Sequence, residues 1–131
     1  MIQRIQTVWW LLSAILLVGM LFLPVFRSPD GTLLYPNNFV ILLLTALVTA
    51  GGSLLIIFLY KNRPFQIKAG WVLILLHLLL MGILGYWFFS QTGLAYLPAT
   101  VIPLISLIFQ ILAIRGVRKD EALVKSMDRL R

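Results

Sequence analysis

The chain has 131 residues, of which 61% are hydrophobic and 11% charged, with no cysteine and a formal net charge of +7. A soluble domain of this length carries about 25% charged residues, so the composition argues against a solvated globule. The missing cysteine excludes disulfide exchange, thiolate nucleophiles and cysteine-ligated metals, and the length allows a single domain. No Asp, Glu, Lys or Arg occurs within residues 8–23, 39–59, 69–89 or 94–114. Each stretch has roughly the 17–25 apolar residues that a helix needs to cross a bilayer.

The first helix is predicted over about 5–23. It resembles the apolar region of a signal peptide behind Arg4, but it is too long, carries Trp9 and Trp10, and ends in Leu23-Pro24-Val25-Phe26 instead of a small-residue cleavage site. Pro24 stops it, because proline cannot continue the backbone ladder. Pro29-Asp30-Gly31 is turn chemistry between apolar and β-forming neighbours, which reads as a short surface hairpin. Asn37 or Asn38 is the expected N-cap of a second helix over about 38–60. Thr45, Ala46, Thr49, Ala50 and Ser53 form a small-residue stripe on it, widened by Gly51 and Gly52. Small residues let helix backbones approach in lipid, either within the chain or across a homodimer.

The turn Lys61-Asn62-Arg63-Pro64-Phe65-Gln66 is short enough to make the second and third helices antiparallel neighbours. The third is predicted over about 65–89, with Gly82 and Gly85 suited to close packing, and the fourth over about 96–114. Pro103 either kinks the fourth helix or marks its first turn. Trp9, Trp10, Tyr60 and Trp71 fall near one predicted membrane boundary, and Tyr35, Tyr86, Trp87 and Tyr96 near the other, as interfacial aromatics do. From 116 to 131 the pattern turns amphipathic, with Val117, Leu123, Val124, Met127 and Leu130 on one face and the favourable i,i+4 pair Glu121 and Lys125 on the other. This reads as a helix resting on the inner membrane surface or docking on a partner.

The basic residues divide by segment: Arg4; Lys61, Arg63 and Lys68; and Arg115, Arg118, Lys119, Lys125, Arg129 and Arg131. Arg27 alone lies elsewhere, beside Asp30, and loop 90–98 carries no charge. Lys and Arg accumulate on cytoplasmic segments. Both termini and the central loop are therefore expected in the cytoplasm, which an even number of crossings satisfies. Nucleic acid is not the expected partner; anionic lipid of the inner leaflet is.

Two residues inside the predicted spans invite a functional reading. His77 is an intramembrane ionisable group with no carboxylate in any predicted span, and Gln110 lies about one turn from the inner boundary. A proton relay or ligand contact is weighed here against simple hydrogen bonding between helices. No metal-ligating cluster, paired carboxylates, phosphate-binding glycine loop or nucleophilic triad is visible. No cofactor and no enzymatic activity are expected.

The start Met1-Ile2-Gln3-Arg4-Ile5-Gln6-Thr7-Val8, the loop Lys61-Asn62-Arg63-Pro64-Phe65-Gln66-Ile67-Lys68 and the end from Ala113 through Arg131 resemble the domain-of-unknown-function family 4293. The resemblance covers essentially the whole chain. It implies a small four-helix inner-membrane protein of Bacteroidota, with its polar signature on the cytoplasmic face and no catalytic residues. The combined expectation is an all-α membrane protein: a four-transmembrane-helix bundle with a C-terminal amphipathic cytoplasmic helix. Its expected role is that of an accessory, assembly or scaffolding subunit, with a protein partner in a larger membrane complex or as a homo-oligomer. The expected interaction surface is Arg4, Lys61, Arg63, Lys68, Arg115, Arg118, Lys119, Lys125 and Arg129. The alternative is a small homo-oligomeric channel or transporter.

Overall fold

The computed structural model describes residues 3–130, with side chains from Ile5 onward. Four helices account for most of it: α1 (Gln3–Met20), α2 (Val40–Phe58), α3 (Arg63–Ser90) and α4 (Ile102–Arg129). Single 3-10 turns at Pro36–Asn38, Leu59–Lys61 and Pro98–Val101 lead into or out of them. Three segments are long and apolar enough to cross a membrane: Val40–Lys61, Arg63–Ser90 and Pro98–Arg129. The apolar part of α1, Ile5–Met20, is shorter.

Local chemistry sets the helix ends. The amides of Leu21, Phe22 and Leu23 donate to the carbonyls of Val18, Gly19 and Met20, each at 3.1 Å. These i+3 bonds tighten the chain out of α-helix ahead of Pro24, so α1 stops at Met20, short of the expected 23. Asn38 does not cap α2: its Oδ1 accepts from Tyr35 N–H at 2.8 Å, and the residue preceding α2 is Phe39, with no side-chain cap. Asn62 caps α3 by accepting from Phe65 N–H at 3.3 Å, with Pro64 in the first turn. Pro103 likewise sits in the first turn of α4, where its missing amide costs nothing.

Each helix packs against two others, α1 on α2 and α4, and α3 on α2 and α4. One end of the molecule gathers the three loop strands β1 (Phe26–Arg27), β2 (Leu33–Leu34) and β3 (Ala95–Tyr96). They form an antiparallel sheet in the order β2-β1-β3, pairing Phe26 with Leu34 and with Tyr96. The hairpin expected at Pro29-Asp30-Gly31 is β1 and β2; β3 joins it from the loop after α3. Gly93 explains how closely the two loops meet. It has φ +87°, and a Cβ there would lie 2.6 Å from Pro29 Cγ. Opposite this strand end lies the basic end, formed by the start of α1, the α2–α3 turn and the last turns of α4.

The core divides along the same axis. Toward the strand end it is apolar: Leu17, Met20, Val25, Phe26, Phe39, Leu42, Ala46, Leu80 and Leu84 pack together, each 6% exposed or less. Phe39 packs on Trp87 at 4.6 Å and edge-on to Phe26 at 6.0 Å. Toward the other end a second cluster, with Trp10, Ile56, Leu73, Ala113 and Val117, is interleaved with polar side chains. Meanwhile Leu55, Phe58, Leu75 and Phe89 are 68%, 75%, 64% and 84% exposed. Large apolar residues outside and serine, threonine, histidine and glutamine inside are the arrangement suited to a hydrocarbon solvent.

The structure revises or completes three expectations. Trp10, expected among the interfacial aromatics, is fully buried between helices and presents no ring surface outward. Gly82 and Gly85 have open space where a Cβ would stand; the close approaches fall instead at Gly52 against Leu73, Gly70 against Ile114 and Gly116 against Gln6. The expected tail helix, whose continuity with the fourth helix the sequence leaves open, is the last part of α4, which runs unbroken from Ile102 to Arg129. Within it Val117 and Asp120 are buried, whereas Leu123, Val124, Met127 and Leu130 are exposed.

Candidate functional site

The face that α4 turns toward α1 carries Ser106, Gln110, Ala113, Val117 and Asp120, all buried. Their spacing of three and four residues is one helix stripe. The facing stripe of α1 is Gln6, Trp10, Ser13 and Leu17, also buried. Two rungs join these stripes directly. Near the basic end Gln6 Nε2 donates to Asp120 Oδ2 at 2.5 Å. About midway, Ser13 Oγ and Ser106 Oγ lie 2.7 Å apart.

His77 enters the second rung from α3. Its Nδ1 lies 2.8 Å from Leu73 O, and its Nε2 lies 2.8 Å from Ser106 Oγ. A carbonyl only accepts, so Nδ1 carries a proton. In a neutral ring Nε2 accepts from the Ser106 hydroxyl, and Ser106 in turn accepts from Ser13. The imidazole is thus satisfied without a counter-charge. Ser106 Oγ also lies 3.1 Å from Ser13 O. Donation there would leave Nε2 as the donor to Ser106, and with Nδ1 already protonated that arrangement belongs to the imidazolium and not to the neutral ring.

Between the rungs Trp10 Nε1 and both side-chain polar atoms of Gln110 are buried without a partner among the described residues, as is Asp120 Oδ1 at the end. Gln66 Nε2 donates to Ile56 O at 3.1 Å, tying α3 to α2. The hydroxyls of Thr45, Thr49 and Ser53 donate to carbonyls four residues back in α2 itself. Ala46, Thr49, Ala50 and Ser53 are buried, so the small-residue stripe faces the chain's own helices.

The predicted basic surface resolves into separate parts. The side chain of Arg4 lies outside the described residues, as does Arg131. Lys61, Arg63 and Lys125 share a cleft with Tyr60, Glu121 and Asp128. There Lys125 Nζ meets Glu121 Oε1 at 2.8 Å, the one ion pair among the described residues. Lys68 stands at the edge of an apolar groove between α2 and α3. Arg115 and Arg118 border a cleft between α3 and α4, and Arg118 lies over the Trp71 ring at 5.3 Å. Lys119 and Arg129 are exposed on α4. His77 and Gln110 lie in the interior, away from all of these cations.

A family model described as a domain of unknown function, DUF4293, matches residues 2–130. The chain belongs to that family. No curated protein and no solved structure matches it. The family match spans both stripes and every part of the basic surface, so the rungs and the cations belong to one family unit.

Sequence reasoning named His77 and Gln110 but missed the residues that surround them. Gln6, Ser13, Ser106 and Asp120 lie on the same helix stripes as Trp10, Gln110 and Val117, which the sequence singles out for other reasons. Extending those stripes at three- and four-residue steps reaches each of them.

Proposed function

We propose that the chain is a four-span bacterial inner-membrane protein with both termini cytoplasmic, and that it works as a non-enzymatic accessory or assembly subunit through its basic cytoplasmic end. The observation that carries this reading is the contrast between the two ends. The strand end is closed by a sheet over an apolar core. The basic end presents exposed Lys61, Lys68, Arg115, Arg118 and Lys119. Beyond them, along α4, stand Leu123, Val124, Met127 and Leu130, at 46%, 37%, 60% and 88% exposure. Cations with an uncovered apolar stripe beside them suit a protein partner at the cytoplasmic surface.

Four spans are favoured because α1 accompanies α4 throughout: Gln6 meets Asp120 near the basic end, Ser13 meets Ser106 midway, and Met20 joins the core near the strand end. The distribution of Lys and Arg supports the orientation. The absence of cysteine supplies a clean test. Thr92→Cys should react with a membrane-impermeant maleimide in spheroplasts, and Lys119→Cys only after permeabilisation. The opposite pattern would overturn the orientation. Purification in mild detergent should recover a stoichiometric partner that Leu123→Ser/Met127→Ser loses while the bundle still melts normally. Recovery of the wild-type protein alone would count against the accessory role.

The alternative, a small channel or transporter, draws on the buried polar rungs. It needs a polar path that continues beyond His77, where the core toward the strand end consists of leucine, methionine, valine, phenylalanine and alanine.

A further inference from the structure

Arg115 and Arg118 differ from the other cations in what lies beneath them. They stand one turn apart on α4 at the rim of a 280 Å³ cleft whose remaining walls are Trp71, Ile74, Ile111 and Ile114. The cleft narrows where α3 and α4 touch, since Ile114 packs into the space left by Gly70. Neither guanidinium forms an ion pair or hydrogen bond among the described residues. Of the three acids on α4, Asp120 is buried against Gln6, Glu121 pairs with Lys125, and Asp128 lines the separate cleft with Lys61 and Arg63. The Trp71 ring holds Arg118 over the cleft, where a guanidinium stacked on a ring keeps its edge donors free for a second contact.

We propose that this cleft is a specific site for one anionic glycerophospholipid, with the phosphodiester on Arg115 and Arg118 and an acyl chain descending along the isoleucines between α3 and α4. The charge arrangement selects this occupant. Two unpaired guanidiniums present a forked set of donors matched to phosphate oxygens. Directly beneath them the walls are hydrocarbon. A soluble phosphate would meet the arginines but leave the isoleucine walls uncovered. Basic pockets between spanning helices at a cytoplasmic boundary are the general setting for such headgroup recognition. The site rests on the proposed reading that the helices span a bilayer and that this end of the molecule lies at one of its boundaries.

The test is lipid retention by the full chain in native mass spectrometry, after purification in mild detergent with added phosphatidylglycerol or phosphatidylcholine. The wild type should retain one phosphatidylglycerol and release phosphatidylcholine. Arg115→Gln/Arg118→Gln should weaken retention about 30-fold, from about 1 kcal/mol for each basic residue lost and about 1.4 kcal/mol for each factor of ten. Ile74→Trp, which fills the cleft and leaves both charges, should weaken it as strongly. Lys119→Gln/Arg129→Gln removes the same charge from α4 outside the cleft and should retain lipid as the wild type does. Glycerol 1-phosphate should not displace the lipid. Equal retention by the Arg115/Arg118 double variant, equal retention of phosphatidylcholine, or displacement by glycerol 1-phosphate would each overturn the site. Maleimide labelling of Lys119→Cys reports orientation separately. Labelling from outside with selective lipid retention would discard the orientation and keep the site; normal orientation without selectivity would do the reverse.

Discussion

At Ser106 one hydroxyl serves two neighbouring helices, lying 2.8 Å from His77 Nε2 and 2.7 Å from Ser13 Oγ. Ser106→Ala should therefore orphan a buried ring nitrogen and cost about 1–3 kcal/mol, read as a lowered unfolding midpoint in mild detergent. Gln110 predicts the opposite sign. Its amide is fully buried, with neither polar atom partnered among the described residues. Burying an unpaired amide costs about 1–3 kcal/mol by mutational measures, so Gln110→Leu should leave the midpoint unchanged or raise it. A clear fall for Gln110→Leu would mean that the amide is hydrogen-bonded in the working protein and acts as a tie between helices. The two variants lie one turn apart on the same stripe and share their general surroundings. Opposite signs would therefore track hydrogen bonding and not a generic effect of altering the core.

At the scale of elements, α1 and α4 are held at the basic end by a contact that depends on a glycine. A Cβ at Gly116 would lie 2.7 Å from Gln6 Cγ, and Gln6 is the residue that reaches Asp120. Gly116→Ala should push Gln6 away and leave the buried carboxylate without its donor, costing about 1–3 kcal/mol. Gln6→Ala should cost a similar amount, and the double variant should cost little more than either, because both break one interaction. Additive losses in the same detergent melts would sink this coupling. Gly93→Ala tests the other end. Its positive φ and the nearby Pro29 both oppose a Cβ, so the variant should lose more than the roughly 1 kcal/mol expected of a conformational penalty alone. Protection of the Leu97 amide, which donates to Val25 O at 3.1 Å, should fall in hydrogen exchange. These elements differ in how legible they were. The apolar segments and the Pro29-Asp30-Gly31 turn are local patterns, and they announce the helices and the hairpin. β3 rests on pairing Ala95 with Arg27 across about half of the chain, for which no local pattern exists. Asp120 was hidden by its neighbours: it sits in a charged run, and only its register with Ser106, Gln110 and Val117 reveals that it points inward.

For the whole molecule, the decisive feature is that polarity changes along the axis and not around it. The hydrogen-bonded rungs run from Asp120 to His77. Past His77 the interior is packed hydrocarbon, closed by Phe26 and Phe39 beneath the strands. Moving an ion or a hydrated proton through that half would require bonds that leucine, phenylalanine and alanine cannot supply. The polar half has a sufficient structural reason, since serine, histidine and glutamine tie together helices that gain little from apolar association in lipid. Liposomes containing the protein should therefore hold an imposed proton gradient as long as protein-free liposomes do. His77→Gln should leave that rate unchanged while altering stability. The informative control is Phe26→Ala/Phe39→Ala, which opens the apolar half without touching any polar residue. If the wild type leaks and His77→Gln abolishes the leak, the channel reading replaces the accessory one. If only the Phe26/Phe39 variant leaks, the aromatic pair is the barrier, and the buried polar residues serve as ties between helices.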